Sequence, residues 1–571
     1  MSGKSIVAVI AGSTSMTAKA STTGMSTAQE VRGAKHSLAK PAPIAPLAIA
    51  TALALSLALA TGCPKDDVEP TADAQIPDPH WRSVLFPEGW TPDHQLPDGR
   101  FLHDFSYAGY RAGEEPLPEA LPTPILSVLD QGADPSGALD STGAIQATID
   151  ALSGGGTALI PEGLYRVDGE LLVQQGGVVI SGEGPDKTFL HFTREPESNG
   201  LFGLGFRGRT GSVGEWPLAE DALSRSFAVK VQDASGLAPG DPVALGIVIT
   251  DEFRSEHGME DYWSFSAGQW RAFARRTVVA IQGDEVLLDV PVRYAAKVRD
   301  GASLRPDDGY LREVGLVDLS LSTAVAEEAA WAVSRHSAVL FDRVADAWIT
   351  RVRSFAPEGF DAHLQSGGLR IERSRRVTIA FSEMGFAQNR GGGGNGYLFE
   401  IGQSNEILIQ DSIGRSGRHN FIQNWDFGTS GCVFLRTLSV GGLMVAEMNT
   451  TGSSEYHHAL AHANLVDQSV TDDGWGAINR RSSSSGAGHT ATESVFWNLR
   501  GAGTLRCMQY GWGYVIGTGP ELTTYYELDE ISLLLNGSGT APEDHAEGLG
   551  QAEWLLPQSL YEDQLERRLA R

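Results

Sequence analysis

An all-β solenoid is the fold this sequence predicts, on three observations. Short apolar strands centred near Ile349, Ile379, Ile409, Phe434, Leu465 and Phe496 recur at intervals of about 25 to 31 residues, the repeat range of stacked coils. Glycine supplies 67 of the 571 residues, too many for a helical bundle. It gathers between those strands, at Gly367-Gly368, Gly391 to Gly394, Gly414, Gly417, Gly441-Gly442 and Gly474, where turns need positive φ. With 41% hydrophobic and 20% charged residues the chain can bury a large core. Separate β-sandwich domains would instead turn back roughly every 8 to 12 residues.

Arg32, Lys35 and Lys40 precede an apolar stretch, Ile44 to Ala60, and Ala60-Thr61-Gly62 places small residues immediately before Cys63. This resembles a bacterial lipoprotein signal peptide, which implies that residues 1–62 are removed and Cys63 is lipidated, anchoring the chain to the outer membrane or cell surface; the alternatives are an ordinary signal peptide of a secreted protein and a short membrane anchor. Met25 is an alternative start. The Pro- and Asp-rich residues 63–103 read as a tether, so ordered structure is expected from Asp104. No later apolar run is long enough to cross a bilayer.

After a Gly/Asp/Pro turn, Ile145, Ile149 and Leu152 stand at helical spacing and predict a short amphipathic helix, ended by Gly154-Gly155-Gly156. Short strands follow at Thr157 to Ile160, Tyr165 to Val167 and Val178 to Ile180. The order Gly132-Ala133-Asp134, Asp140-Ser141, Ile145-Gln146, Gly154-Gly155-Gly156-Thr157, Pro161-Glu162-Gly163, Tyr165 and Gly182-Glu183-Gly184 resembles the start of pectate-lyase-superfamily proteins, a group with rhamnogalacturonase-like and epimerase-like members. The resemblance implies a right-handed parallel β-helix over 104–556 and carbohydrate as the substrate class. It does not choose a reaction.

Two regions depart from the coil repeat. Between 227 and 294, four stretches alternate apolar and polar residues (Phe227 to Val231, Val243 to Val248, Thr277 to Ile281, Val286 to Val290), and Gly283-Asp284 separates the last two as a hairpin turn. They predict a small inserted antiparallel module, with His257, Trp263 and Trp270 in its connecting stretch. At residues 557–571, Ser559 stands three before Glu562 at capping-box spacing, and Tyr561, Leu565 and Leu569 form one stripe of a terminal helix.

A formal charge of −27 opposes nucleic acid as a partner, which needs a clustered basic surface. The expected partner is a polysaccharide, bound by a monomer. Coil alignment puts Glu400, Gln423 and Glu447 in one column, with Glu400 and Glu447 two rungs and roughly 9 to 10 Å apart. That is the upper edge of the separation an inverting glycosidase uses. Beside the column, Arg418, His419 and Asn420 contain what β-elimination on a uronic acid needs: groups that neutralise the carboxylate and a base for the C5 proton. His457, His458, His462 and His489 crowd the next coils, with Arg480 after Asn479; His458 and His489 join the candidate catalytic set. Asp472-Asp473 with Gly488-His489 resembles part of a polygalacturonase-like pattern, whose Asn-Thr-Asp and Arg-Ile-Lys elements are missing.

No metal site or cofactor is expected, although a calcium ion held by substrate and a few carboxylates is compatible with the composition. Cys432 and Cys507, two to three coils apart, are expected as buried free thiols. Three classes of function stay open: a polysaccharide lyase, a polygalacturonase-like hydrolase, and a non-catalytic glycan binder or adhesin.

Overall fold

The computed structural model describes residues 80–195, 197–198, 200–445, 450–526 and 544–571. Cys63 and its apolar leader lie outside the described residues, as does Glu447. No helix among the described residues is long and apolar enough to cross a membrane.

The chain winds into a parallel β-helix. A ten-stranded parallel sheet forms one face, and a twenty-stranded sheet wraps the others. Register stacks like on like: Leu316, Ile349, Ile379, Ile409 and Phe434 occupy one column of successive rungs, followed by Val466 and Phe496. All are buried in one continuous core. The column therefore takes Val466 where Leu465 is expected. Leu465 points outward, as do Val433 and Val495, because these strands are apolar on both sides and the outer side is covered as well.

That cover corrects the tether. Residues 80–103 are not a loose linker: Leu85, Phe86, Trp90, Leu102 and Phe105 are buried against Val433, Leu465, Val495 and Trp497 on the outside of the coils. Pro and Asp content predicts a linker, but four large apolar side chains in this stretch, with Phe105 just after it, bury enough surface to order it. The terminal helix Leu560–Leu569 locks the same cover. Ser559 Oγ accepts from Glu562 N at 3.1 Å and donates to Asp467 Oδ2 at 2.8 Å, and Gln564 Nε2 donates to His103 O at 2.9 Å. Leu560, Tyr561 and Gln564 form its buried face, whereas Leu569 is exposed, so the expected stripe is rotated.

At the other end, the helix Thr142–Ala151 closes the first coil with Ile145 and Ile149 buried. Gln146 donates to Leu172 O and accepts from Leu172 N, both at 2.9 Å, satisfying an edge strand that has no further rung to pair with.

The inserted module is a six-stranded antiparallel sheet in the order Ala228–Lys230, Glu285–Leu288, Trp270–Gln282, Pro242–Val248, Ser303–Pro306, Trp216–Pro217. It thus extends past 227–294 at both ends. Gly283, at φ +64°, makes the hairpin turn. Trp263 is fully buried and belongs to the module's core, which also takes in Phe427, Ala459 and Leu460 from the coils. Arg276 and Arg293 reach Glu406 at 3.1 and 3.2 Å, all three at most 1% exposed. Burying three charges there demands mutual pairing, and the pairing fixes the module to the β-helix.

Candidate active site

Register decides which side chains share the ten-stranded face. Arg370 pairs with Glu400, Glu400 with Ile422, and Ile422 with Glu455. The carboxylate two rungs from Glu400 is therefore Glu455, with Ile422 between them, and Gln423 pairs with Ile401 instead. The expected column misses by one residue at Gln423, and its third member is Glu455 because Leu443–Met444 and Thr450–Thr451 form a hairpin apart from the coil sheets, so the next rung begins only at Ser454. Strand alternation then puts Glu455 and His457 on one side.

Beside this face lies a cleft of about 360 Å³ lined by Arg335, Gly393, Gly394, Tyr397, Arg418, Asn424, Trp425, His457, Ser484 and Ser485. Arg335 Nη2 binds Glu400 Oε1 at 3.1 Å, and Asn424 Nδ2 donates to the same oxygen at 2.8 Å. Burial alone would raise the pKa of Glu400, but Arg370 and Arg335 with the Asn424 bond hold it below the ordinary value. Arg480 Nη1 binds Glu455 Oε2 at 2.7 Å. Glu455 is fully enclosed, which favours its neutral form, yet the Arg480 guanidinium and the hydrogen bond from His457 keep it well below the usual carboxylate range.

His457 donates from Nδ1 to Glu455 Oε1, which fixes its tautomer and leaves Nε2 as the acceptor. Burial pulls its pKa below the ordinary value despite Glu455, so the ring is neutral at neutral pH. Burial also brings His419 down to about 3, against the pull of Glu455. Its Nδ1 donates to Ser453 O at 2.5 Å, and its Nε2 approaches Glu455 Oε1 at 3.2 Å without the alignment of a hydrogen bond. Tyr397 packs beside both imidazoles, at 5.2 and 5.9 Å between ring centroids, and burial pushes its phenol pKa up, so it stays protonated.

Arg418 donates to Gly391 O at 3.0 Å and has no ion pair among the described residues; neither has Arg390, and the two flank Gly396. Two cations without carboxylate partners sit in or beside the cleft. Trp425, 43% exposed, rests on His458, which in turn meets Phe265 of the module.

Of the residues singled out in the sequence, Arg418 lines the cleft and Glu400 lies against it. His419 stands behind His457 and does not line it. Asn420 is fully buried on another side, donating to Asp473 Oδ2 at 2.7 Å and Ser439 Oγ at 3.1 Å while accepting from Gly417 N at 3.0 Å. It is a turn brace, not a substrate ligand. His458 hydrogen-bonds Ser484 O and supports Trp425. His489 packs against Tyr510 and the module's Met259, away from the cleft. His462 stacks on Phe273 and packs at a tilt against Tyr294. Histidine crowding thus mostly reflects docking of the module. Asp473 accepts from Ser439, Gly442 and Asn420 inside the coils, so Asp472-Asp473 and His489 do not assemble a hydrolase site. Cys432 and Cys507 are buried free thiols.

Glu455, Arg335, Tyr397 and Trp425 escaped sequence reasoning. The signal for Glu455 was its Glu-x-His spacing to His457, which a strand places on one side. Among the described residues, one group of three side chains could hold a metal ion: His419, Glu455 and His457. Two imidazoles suit a transition metal better than calcium, which takes oxygen ligands.

Residues 125–245 match the family model described as rhamnogalacturonase A/epimerase, pectate lyase-like. The pectate-lyase-like match thus falls within the first coils of the parallel β-helix and the start of the inserted module. Among solved structures, it is similar to the tailspike gp61 of Pseudomonas phage phi297, with 12% identity over 70% of this chain and 75% of that one, at a TM-score of 0.45. The gp54 tailspike of Acinetobacter baumannii bacteriophage AP22, solved with a capsular saccharide, gives 14% identity over 70% and 64% at 0.41. An exopolygalacturonase from Thermotoga maritima gives 10% over 77% and 94% at 0.34. No curated protein matches the chain.

Proposed function

We propose that this β-helix acts on polysaccharide, as the family name of residues 125–245 suggests, and cleaves a uronic-acid-containing glycan by β-elimination. The observation that carries the reading is the Glu455–His457 pair at a cleft that also holds Arg418. Glu455 orients His457, whose neutral Nε2 removes the C5 proton. Arg418, which pairs with no carboxylate among the described residues, takes the substrate carboxylate and stabilises the charge that develops as that proton leaves. Tyr397, protonated, is placed to donate to the departing glycosidic oxygen, and the C4–O4 bond breaks to leave an unsaturated sugar. Hydrolysis fits less well. A glycosidase needs one carboxylic acid with a raised pKa to protonate its leaving group, and both Glu400 and Glu455 are held ionised.

The test is a panel of uronic-acid polysaccharides assayed for ultraviolet absorbance of unsaturated ends and for reducing ends. Absorbance is expected, and His457→Ala should lower kcat by about a hundredfold or more in protein that still unfolds cooperatively above the assay temperature. Reducing ends without absorbance would overturn elimination in favour of hydrolysis, and activity in neither assay would favour a binder. We further propose a lipid anchor at Cys63, checked by fatty-acid labelling of the wild type and of Cys63→Ser; an unlabelled wild type refutes it.

A further inference from the structure

We propose that His419, Glu455 and His457 form a binding site for a divalent transition-metal ion of the zinc or cobalt type. The two oxygens of Glu455 are divided. Arg480 takes Oε2 at 2.7 Å, which fixes the carboxylate and leaves Oε1 facing both imidazoles. His419 Nδ1 is committed as a donor to Ser453 O, so its Nε2 must present a lone pair. That lone pair meets Glu455 Oε1 at 3.2 Å, and Nε2 is buried with no hydrogen-bond partner. Two electron-rich atoms thus face each other in a buried place with no hydrogen between them, and a metal ion would satisfy both.

The surroundings fit a metal. The ligand atoms of the three residues lie within 4.8 Å of one another, and the side chains of His419 and Glu455 are 8% and 7% exposed. A 3.2 Å separation is close to the ligand–ligand edge of a tetrahedron whose bonds are about 2.0 to 2.1 Å. A backbone carbonyl on the far nitrogen of His419 and a guanidinium on the far oxygen of Glu455 are the outer partners that orient first ligands in metal sites. Three protein ligands of His₂Glu composition leave a fourth position open.

Binding and the proposed base role use His457 differently. As a base, its Nδ1 carries the proton shared with Glu455; as a ligand, Nδ1 binds the ion and the proton moves to Nε2, so no proton is gained or lost by the ring. Metal occupancy therefore silences the base. Binding itself does not rest on the lyase reading, and it is measured without substrate.

The full chain, stripped with a chelator, is titrated with cobalt(II) chloride and followed by equilibrium dialysis and visible absorption. One ion per chain is expected, with the intense bands of four-coordinate cobalt, displaced by zinc and unaffected by excess calcium. His419→Ala should weaken cobalt binding at least tenfold. Because that variant can lose stability, pulsed electron paramagnetic resonance on the copper(II)-loaded wild type provides a second reading and should detect two imidazoles. No saturable cobalt binding by the wild type, or a copper spectrum without imidazole coupling, overturns the proposal.

Discussion

Replacing Glu406 with Gln should loosen the inserted module from the β-helix. Its carboxylate binds Arg276 Nη1 at 3.1 Å and Arg293 Nε at 3.2 Å, where both guanidinium groups are essentially inaccessible. Arg276 also donates to Val290 O and Pro291 O, and Arg293 to Asp104 O, so neither can swing out to solvent without breaking further bonds. Gly431, at φ +67°, leaves the room: a Cβ there would stand 2.7 Å from Glu406 Oε1. Gln keeps the volume but removes the charge, stranding two buried cations. Losing one partner of a buried ion pair costs about 3 to 5 kcal/mol. Unfolding entropy near 2.1 cal/mol/K per residue amounts to roughly 1 kcal/mol/K for a folded part of this size, so Tm should fall by about 3 to 5 °C. Calorimetry measures the shift, and limited proteolysis should show earlier cutting in the module. A Tm within about 1 °C of wild type, with unchanged proteolysis, would refute the view that this triad holds the module in place.

Ile379→Asp puts an unpaired charge into the inward column between Ile349 and Ile409, and loss of cooperative unfolding is expected; an unchanged melt would overturn the register. Asp467 is fully buried, and burial pushes its pKa up to about 7 despite hydrogen bonds from Tyr561 N and Ser559 Oγ. A raised folded-state pKa means that its protonated form favours folding below about pH 4 and that this contribution is lost as pH rises towards 7. Asp467→Asn should therefore raise Tm at pH 8 and flatten the Tm–pH profile between pH 4 and 7; equal profiles in calorimetry refute the assignment.

Much of the fold is legible because it is repetitive. An apolar residue every coil must stack on its counterpart, so Ile349, Ile379 and Ile409 disclose the solenoid without knowledge of the rest, and the Gly283 turn discloses the module's hairpin. Residues 80–103 are not legible in this way. Their order depends on an outer apolar surface made by Val433, Leu465 and Val495, and nothing local to the segment reveals that surface.

The candidate site divides along the same line. Arg418 and His419 could be singled out from sequence because they follow a glycine turn and carry suitable chemistry. Glu455 carried only its Glu-x-His spacing, and its place in the column was hidden, since an excursion outside the coil separates it from Ile422 and only hydrogen-bonded register counts rungs rather than residues. The sequence by itself determined the architecture, because hydrophobic periodicity is a local property summed along the chain. The tertiary structure alone decided which acid orients His457, which arginine lines the cleft and which histidines merely dock the module, because charge pairing and desolvation depend on neighbours brought together from distant coils.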